Sequence, residues 1–278
     1  MSGPDIKSYF KSFDSHRLYY QVFKAKKPCA VLLICHGLNE HSGRYAPLVD
    51  HFRNAGFTLY LYDHRGHGKS DGSRSHVDHF KTYLKDLAVF SSLVSKEQEG
   101  HRIFLIGHSM GGQIVLNYLA QCKNRFAGFV SSSANIRMAV KIPLLKKFIG
   151  LNLAHFLPKL KIGNEIDPKW ISRDKEVVSA YKKDPYVSKN ISVGLASEII
   201  KNQDILPGLA GKISLPALMM HGGDDHICSQ RGTIDFYNQL ASKDKSLKIY
   251  DGFYHELFNE TGKEKVFADM EAWLKKHA

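Results

Sequence analysis

An α/β fold is predicted, with a mostly parallel eight-stranded sheet flanked by helices and an inserted helical cap. Three observations predict it. Apolar runs of strand length alternate with segments of helical period, as expected of a parallel sheet covered on both faces. The strands fall into an early and a late group, parted by an interval from about Ala134 to Lys212 that is too long for a loop within a compact domain. With 278 residues, 43% hydrophobic and 24% charged, the chain can bury a sizeable core and has no tract of disordered composition.

Taken in order, Ile6 to Phe13 and Arg17 to Phe23 read as a hairpin around Asp14-Ser15-His16. Strands follow at Ala30 to Cys35, Phe57 to Tyr62, Arg102 to Ile106 and Phe126 to Ser131. Between them, Tyr45 to Ala55 and His79 to Ser95 are helical, the second with Phe80, Leu84, Leu87, Phe90 and Val94 on one stripe. Gln113 to Gln121 is a further helix. Strands then stop until Leu215 to His221 and Leu247 to Tyr250, each followed by a helix, Arg231 to Leu240 and Gly262 to Lys275. Residues 1–133 and 213–278 therefore form the core, and 134–212 the cap. The first part of the cap, Arg137 through Lys161, carries six basic and no acidic residues among many apolar ones, and Lys146 and Lys147 break its apolar run far short of a membrane span. It is a candidate lipid-facing, amphipathic segment for peripheral membrane contact; the competing reading is a helix packed on the core with a solvated basic face.

The net charge of +12 admits an anionic surface as partner. Nucleic acid is disfavoured, because the basic residues are dispersed and no zinc-finger, RRM or basic-zipper pattern occurs. The amino terminus has no apolar core of signal-peptide length, which points to the cytoplasm. Cys29, Cys35, Cys122 and Cys228 have neither CxxC spacing nor histidine partners, so free thiols are expected and no metal.

The chemistry centres on Gly107-His108-Ser109-Met110-Gly111, a G-x-S-x-G elbow between the strand Ile103-Phe104-Leu105-Ile106 and a helix. Such an elbow exposes the serine at the carboxyl edge of the sheet. In the α/β-hydrolase fold the acid and the base follow it in that order, on turns after late strands. Gly222-Gly223-Asp224-Asp225 and Asp251-Gly252-Phe253-Tyr254-His255 fill those two slots. Ser109, Asp225 and His255 are thus the candidate triad, with Asp224 a competitor for the acid. His255 would take the Ser109 proton and return it to the leaving alcohol, while Asp225 fixes the imidazole tautomer. The oxyanion donors are expected at the N–H groups of Met110, after the nucleophile, and Leu38, in Cys35-His36-Gly37-Leu38-Asn39 after the third strand. His36 and His108 are expected to brace the elbow, and Asp63, His64, Arg65 and His67 to brace a loop. No cofactor is needed.

The stretches His36-Gly37-Leu38-Asn39-Glu40-His41-Ser42-Gly43-Arg44-Tyr45, Asp63-His64-Arg65-Gly66-His67-Gly68-Lys69-Ser70, Gly107 to Gly112 and Tyr254-His255-Glu256 resemble the monoacylglycerol lipase and lysophospholipase branch of the α/β-hydrolases over nearly the whole chain. The resemblance implies the same triad and oxyanion donors. It further implies that Glu40 and Arg44 lie at the polar end of the pocket near the glycerol group, and that Cys228 lies near the active site. Phe258 departs from the mammalian members, which carry a histidine there, and the cap matches least. The implied reaction is serine hydrolysis of a single-chain acyl ester, most simply a monoacylglycerol. Lysophospholipase or broad carboxylesterase activity is the alternative, with a peptidase or a slow-turnover binding protein of the same fold behind it.

Overall fold

The computed structural model describes residues 3–122, 125–139 and 153–278. Its main sheet has eight strands: β1 (Ile6–Lys11), β2 (Arg17–Phe23), β3 (Ala30–Cys35), β4 (Phe57–Tyr62), β5 (Ile103–His108), β6 (Gly128–Ser132), β9 (Ala217–Gly222) and β10 (Lys245–Tyr250). They lie in the order β1-β2-β4-β3-β5-β6-β9-β10. β1 pairs antiparallel with β2, and β2 with β4; every other pairing is parallel. The inner parallel strands, β3, β4, β5, β6 and β9, are buried along their whole length because both faces are covered, and alternate residues divide between two cores. Leu33, Cys35 and Leu105 face the core under α2 (Lys81–Glu97) and α3 (Met110–Gln121). Leu32, Ile34, Phe104 and Ile106 face the core under α1 (Ala46–Asn54) and the last helix, Lys263–His277. The stripe Phe80, Leu84, Leu87, Phe90 and Val94 is buried as its spacing requires.

This topology gathers the chemistry. The chain sends β4 to one side of β3 and β5 to the other, so a crevice opens at the carboxyl ends of the parallel strands. The loops after β3, β5, β9 and β10 all leave from that edge, which brings residues near 38, 109, 225 and 255 together.

The interval after β6 differs from a purely helical cap. Strands do not stop there: β7 (Lys161–Gly163) pairs antiparallel with β8 (Asn190–Ser192), a ladder of three residues each way. Between them lies α4 (Lys175–Lys183), capped by Asp174, which accepts from the Glu176 and Val177 N–H groups. After β8, α5 (Val193–Ile205) starts from the Ser192 cap and buries Leu195 and Ile199 in the same core as α3, where Gln113 Nε2 donates to the Ile199 carbonyl. The rear of the interval thus packs as part of the helical layer. α6 (Gln230–Gln239) and α7 (Lys263–His277) complete the chain. Lys146, Lys147 and most of the run from Arg137 to Lys161 lie outside the described residues. No described helix is long and apolar enough to cross a membrane.

Candidate active site

β5 delivers Ser109 at a backbone corner with φ 54° and ψ −119°, a conformation that a β-carbon resists. The corner is tight on both sides. A Cβ on Gly111 would stand 2.2 Å from the Cys35 carbonyl oxygen, so only glycine lets α3 begin against the end of β3. A Cβ on Gly37 would come within 3.2 Å of the Ser109 Cβ, so the loop after β3 runs directly past the serine. The Ser109 carbonyl accepts from Gln113 N and Asn135 N, which seats the corner between α3 and the segment after β6.

His255 and Ser109 line one cavity with Leu38, Ile166, Ile171, Tyr181 and Ile227. The free space there is about 20 Å³, less than an acyl ester occupies. His255 Nδ1 lies 2.7 Å from Asp225 Oδ2. Asp225 Oδ1 accepts from the Ile227 and Cys228 N–H groups at 2.8 and 2.9 Å, and His221 Nε2 stands 3.1 Å from Oδ2. Burial alone would raise the Asp225 pKa, but the facing His255 and the His221 contact hold it well below the usual carboxylate range. For His255 the signs reverse: burial alone would lower it, and the Asp225 charge, with lesser pulls from Glu256 and Glu40, raises it above 6.5. The ring centroid lies 4.8 Å from that of His108, with the planes tilted 53°, and burial and the neighbouring His255 push His108 down to about 4. Among the described contacts Ser109 and His255 are not hydrogen-bonded; such contacts commonly tighten only around bound substrate. Asp224, by contrast, is exposed.

Glu40 and Arg44 form a buried network with Glu256. Glu40 Oε1 accepts from Gly37 N and Tyr45 Oη, and Oε2 from Arg44 Nη1 at 2.7 Å. Both Arg44 terminal nitrogens also reach Glu256, at 2.6 and 2.7 Å, and the guanidinium lies 4.7 Å from the Tyr181 ring centroid. Burial would raise the Glu40 pKa, yet the Arg44 charge holds it below its ordinary value. All four carboxylate oxygens are therefore engaged by protein donors. Replacing Arg44 with methionine keeps the stem and strands two buried carboxylates. Stability in urea unfolding should drop by about 3–5 kcal/mol; a drop under about 1 kcal/mol would mean that the network does not hold this face together.

Cys228 is buried beside Asp225 with the Ser109 hydroxyl in contact, and burial pushes its thiol far up. The four cysteines are free thiols. Phe258 packs near Tyr45, His108 and Phe267 and offers the site no polar atom. The residues around Asp63 brace loops: Asp63 accepts from Ser42 N and Lys69 N, and Arg65 bridges Asp14 and Asp86.

Four contributors escape sequence reasoning. His221 is the last side chain of β9, one residue before Gly222, and touches the Asp225 carboxylate, with Thr233 Oγ1 at 2.7 Å on its other nitrogen. Glu256 pairs with Arg44 from 212 positions away. Tyr181 reaches over from α4. Glu260, fully buried, accepts from the N–H groups of Tyr254 and Arg173, and so ties the segment around 172 to the loop bearing His255. A polar residue at a buried strand end was the available signal for His221; the others depend on contacts between distant segments.

Residues 26–262 match the family described as serine aminopeptidase, S33. The chain is 32% identical to the monoacylglycerol lipase of Mycolicibacterium smegmatis, covering 94% of both proteins. It is 36% identical to an abhydrolase domain-containing protein of Dictyostelium discoideum over 90% of this chain, and spans about a quarter (26%) of that protein's length. Among solved structures, a soluble variant of monoglyceride lipase from Saccharomyces cerevisiae, in complex with a substrate analogue, superposes with a TM-score of 0.90 at 29% identity, over 100% of this chain and 97% of that one.

Proposed function

The chain belongs to the serine aminopeptidase S33 family of α/β-hydrolases, close to its monoacylglycerol lipases, and from that premise we propose that it cleaves single-chain acyl esters, monoacylglycerol first, through an acyl-enzyme on Ser109. Its likeness to monoacylglycerol lipases over nearly the whole chain makes it a carboxylic-ester hydrolase. The observation that carries the residue roles is the buried 2.7 Å contact of His255 with Asp225 in the wall of the cavity over Ser109. In this reading Ser109 Oγ attacks the ester carbonyl while His255 Nε2 takes its proton. The negative oxygen is met by the N–H groups of Leu38 and Met110. Collapse breaks the acyl C–O bond, and His255 hands its proton to the departing glycerol oxygen. Water then repeats the sequence and frees the fatty acid. Asp225 stays ionised throughout and steadies the imidazolium.

An aminopeptidase needs a carboxylate with a free oxygen for the substrate ammonium. Here every oxygen of Glu40 and Glu256 already accepts from a protein donor, so neither is free for an ammonium, which favours an uncharged alcohol such as glycerol. The apolar walls, Leu38, Ile166, Ile171 and Ile227, suit an acyl chain. Delivery from a lipid surface fits the segment after residue 153, where Phe156, Leu157, Leu160 and Ile162 are exposed, Phe156 to 76%, with Lys159 and Lys161 among them.

Initial rates on a long-chain monoacylglycerol, the matching lysophospholipid, a short soluble ester and an aminoacyl amide test the reading. Monoacylglycerol should lead in kcat/KM by about tenfold or more, with no turnover of the amide. A lead for the lysophospholipid would reassign the substrate, and turnover of the amide would sink the proposal.

A further inference from the structure

Two successive peptide planes after β3 carry four polar groups outside the sheet ladder: the carbonyls of His36 and Gly37 and the N–H groups of Gly37 and Leu38. Three of them are held by side chains. The His36 carbonyl accepts from His64 Nε2–H at 3.0 Å, Gly37 N–H donates to Glu40 Oε1 at 2.6 Å, and the Gly37 carbonyl lies 2.7 Å from His36 Nδ1. The fourth, Leu38 N–H, has no acceptor among the described residues, and Leu38 lines the cavity over Ser109. In a trans peptide the carbonyl and the following N–H point in opposite directions. Turning the Gly37 oxygen onto the imidazole therefore aims Leu38 N–H away from that ring.

Only one tautomer of His36 can do this. Its Nε2 accepts the His64 backbone N–H at 2.9 Å and so carries no proton, which leaves the proton on Nδ1, facing the Gly37 oxygen. Burial, with His67 close by, pushes the His36 pKa well below 6.5, so the neutral ring persists through the working range. His64 holds the arrangement twice, through its own backbone N–H and through its ring, whose centroid lies 4.1 Å from that of His36.

We infer that His36, in the tautomer imposed by the His64 backbone, is the positioning residue that aims the Leu38 N–H at the oxygen on which charge develops. The inference rests on the Ser109 reading above. His36 exchanges no proton with substrate; its work is done on the peptide plane.

The test sets His36→Asn against His36→Gln in the full chain, beside Ser109→Ala, on a soluble ester. The asparagine amide lies where Nδ1 lies and keeps a donor for the Gly37 oxygen. The glutamine amide reaches the Nε2 position, keeps an acceptor for His64 N–H and lacks that donor. In His36→Gln, kcat should fall about a hundredfold, with KM within about threefold. Affinity for a trifluoromethyl ketone, whose adduct oxygen occupies the same hole, should fall in parallel. His36→Asn should recover about tenfold or more of the kcat at a similar melting temperature. Equal kcat in the two variants, or a glutamine deficit carried by KM, overturns the inference. Nitrogen-15 spectra of the native protein give a reading that needs no variant: His36 must be protonated on Nδ1, and a proton on Nε2 overturns the inference. Activity surviving in Ser109→Ala would instead sink the nucleophile assignment and leave the tautomer result standing.

Discussion

Replacing Ser109 with alanine should lower kcat on monoacylglycerol by about four orders of magnitude or more, the largest effect expected of any single change in this chain. Nothing else at the corner can act as nucleophile: Cys228 touches the serine, but burial holds its thiol protonated. The residual rate is what the Leu38 and Met110 donors and substrate binding supply without covalent chemistry. Alanine keeps the β-carbon and hence the backbone strain at φ 54°, so melting temperature should stay near native and the loss is not a folding loss. Single-turnover kinetics and labelling by a fluorophosphonate probe check it. Labelling that persists in the variant, or kcat within about a hundredfold of native, would move the nucleophile elsewhere.

The centre of the sheet was legible because its strands are buried on both faces, as β3 is, where Val31-Leu32-Leu33-Ile34 is an uninterrupted apolar run. Local sequence alone bounds such a strand. The elbow was legible for a related reason: Gly107 and Gly111 answer a steric demand that no other residue meets, and that demand leaves its mark in five consecutive positions. β7 and β8 left no such mark. Each is three residues long, β7 is exposed throughout, and a ladder of that length is set by its partner 29 positions away rather than by alternation.

Which side chains complete the site was legible only in part. The slots after β9 and β10 located Asp225 and His255 because the fold fixes the order of those loops. Spacing put Asp225 ahead of Asp224, and in the structure it is Asp225 that meets the imidazole while Asp224 is exposed. The resemblance put Glu40 and Arg44 beside the substrate's polar group. In three dimensions both are occupied by Glu256, Tyr45 and the Gly37 N–H, so any contact with glycerol comes from groups already fixed by one another. The tautomer of His36 could not be read from sequence, because it depends on which backbone N–H faces Nε2.

Replacing Asp225 with asparagine should cost about 10⁴-fold in kcat and should also move the pH profile, which separates an electrostatic role from a packing one. The native carboxylate takes hydrogen from His255 Nδ1 and two backbone N–H groups, with His221 Nε2 at 3.1 Å, and asparagine can satisfy at most part of that set. Its oxygen is drawn to the two N–H groups, which turns the amide NH₂ toward His255 and favours the tautomer with the proton on Nε2, where the base needs a lone pair. The direction of the pH shift follows from the burial and the charges around His255. Burial lowers it and the Asp225 charge raises it above 6.5 in the native enzyme. The base works unprotonated, so kcat/KM of the native protein climbs as pH rises through that raised value and is lost below it. Removing the carboxylate charge leaves burial in command, and the acid limb of the residual activity should move to lower pH. The buried His36, His64, His67 and His108 are all pushed down, His67 and His108 to about 4, so none of them masks the limb. Rates from pH 5 to 9, on the soluble ester and at fixed ionic strength, measure both effects. An acid limb that stays where the native one lies, with kcat down about 10⁴-fold, would assign Asp225 to orientation alone; an unchanged kcat would remove it from the triad.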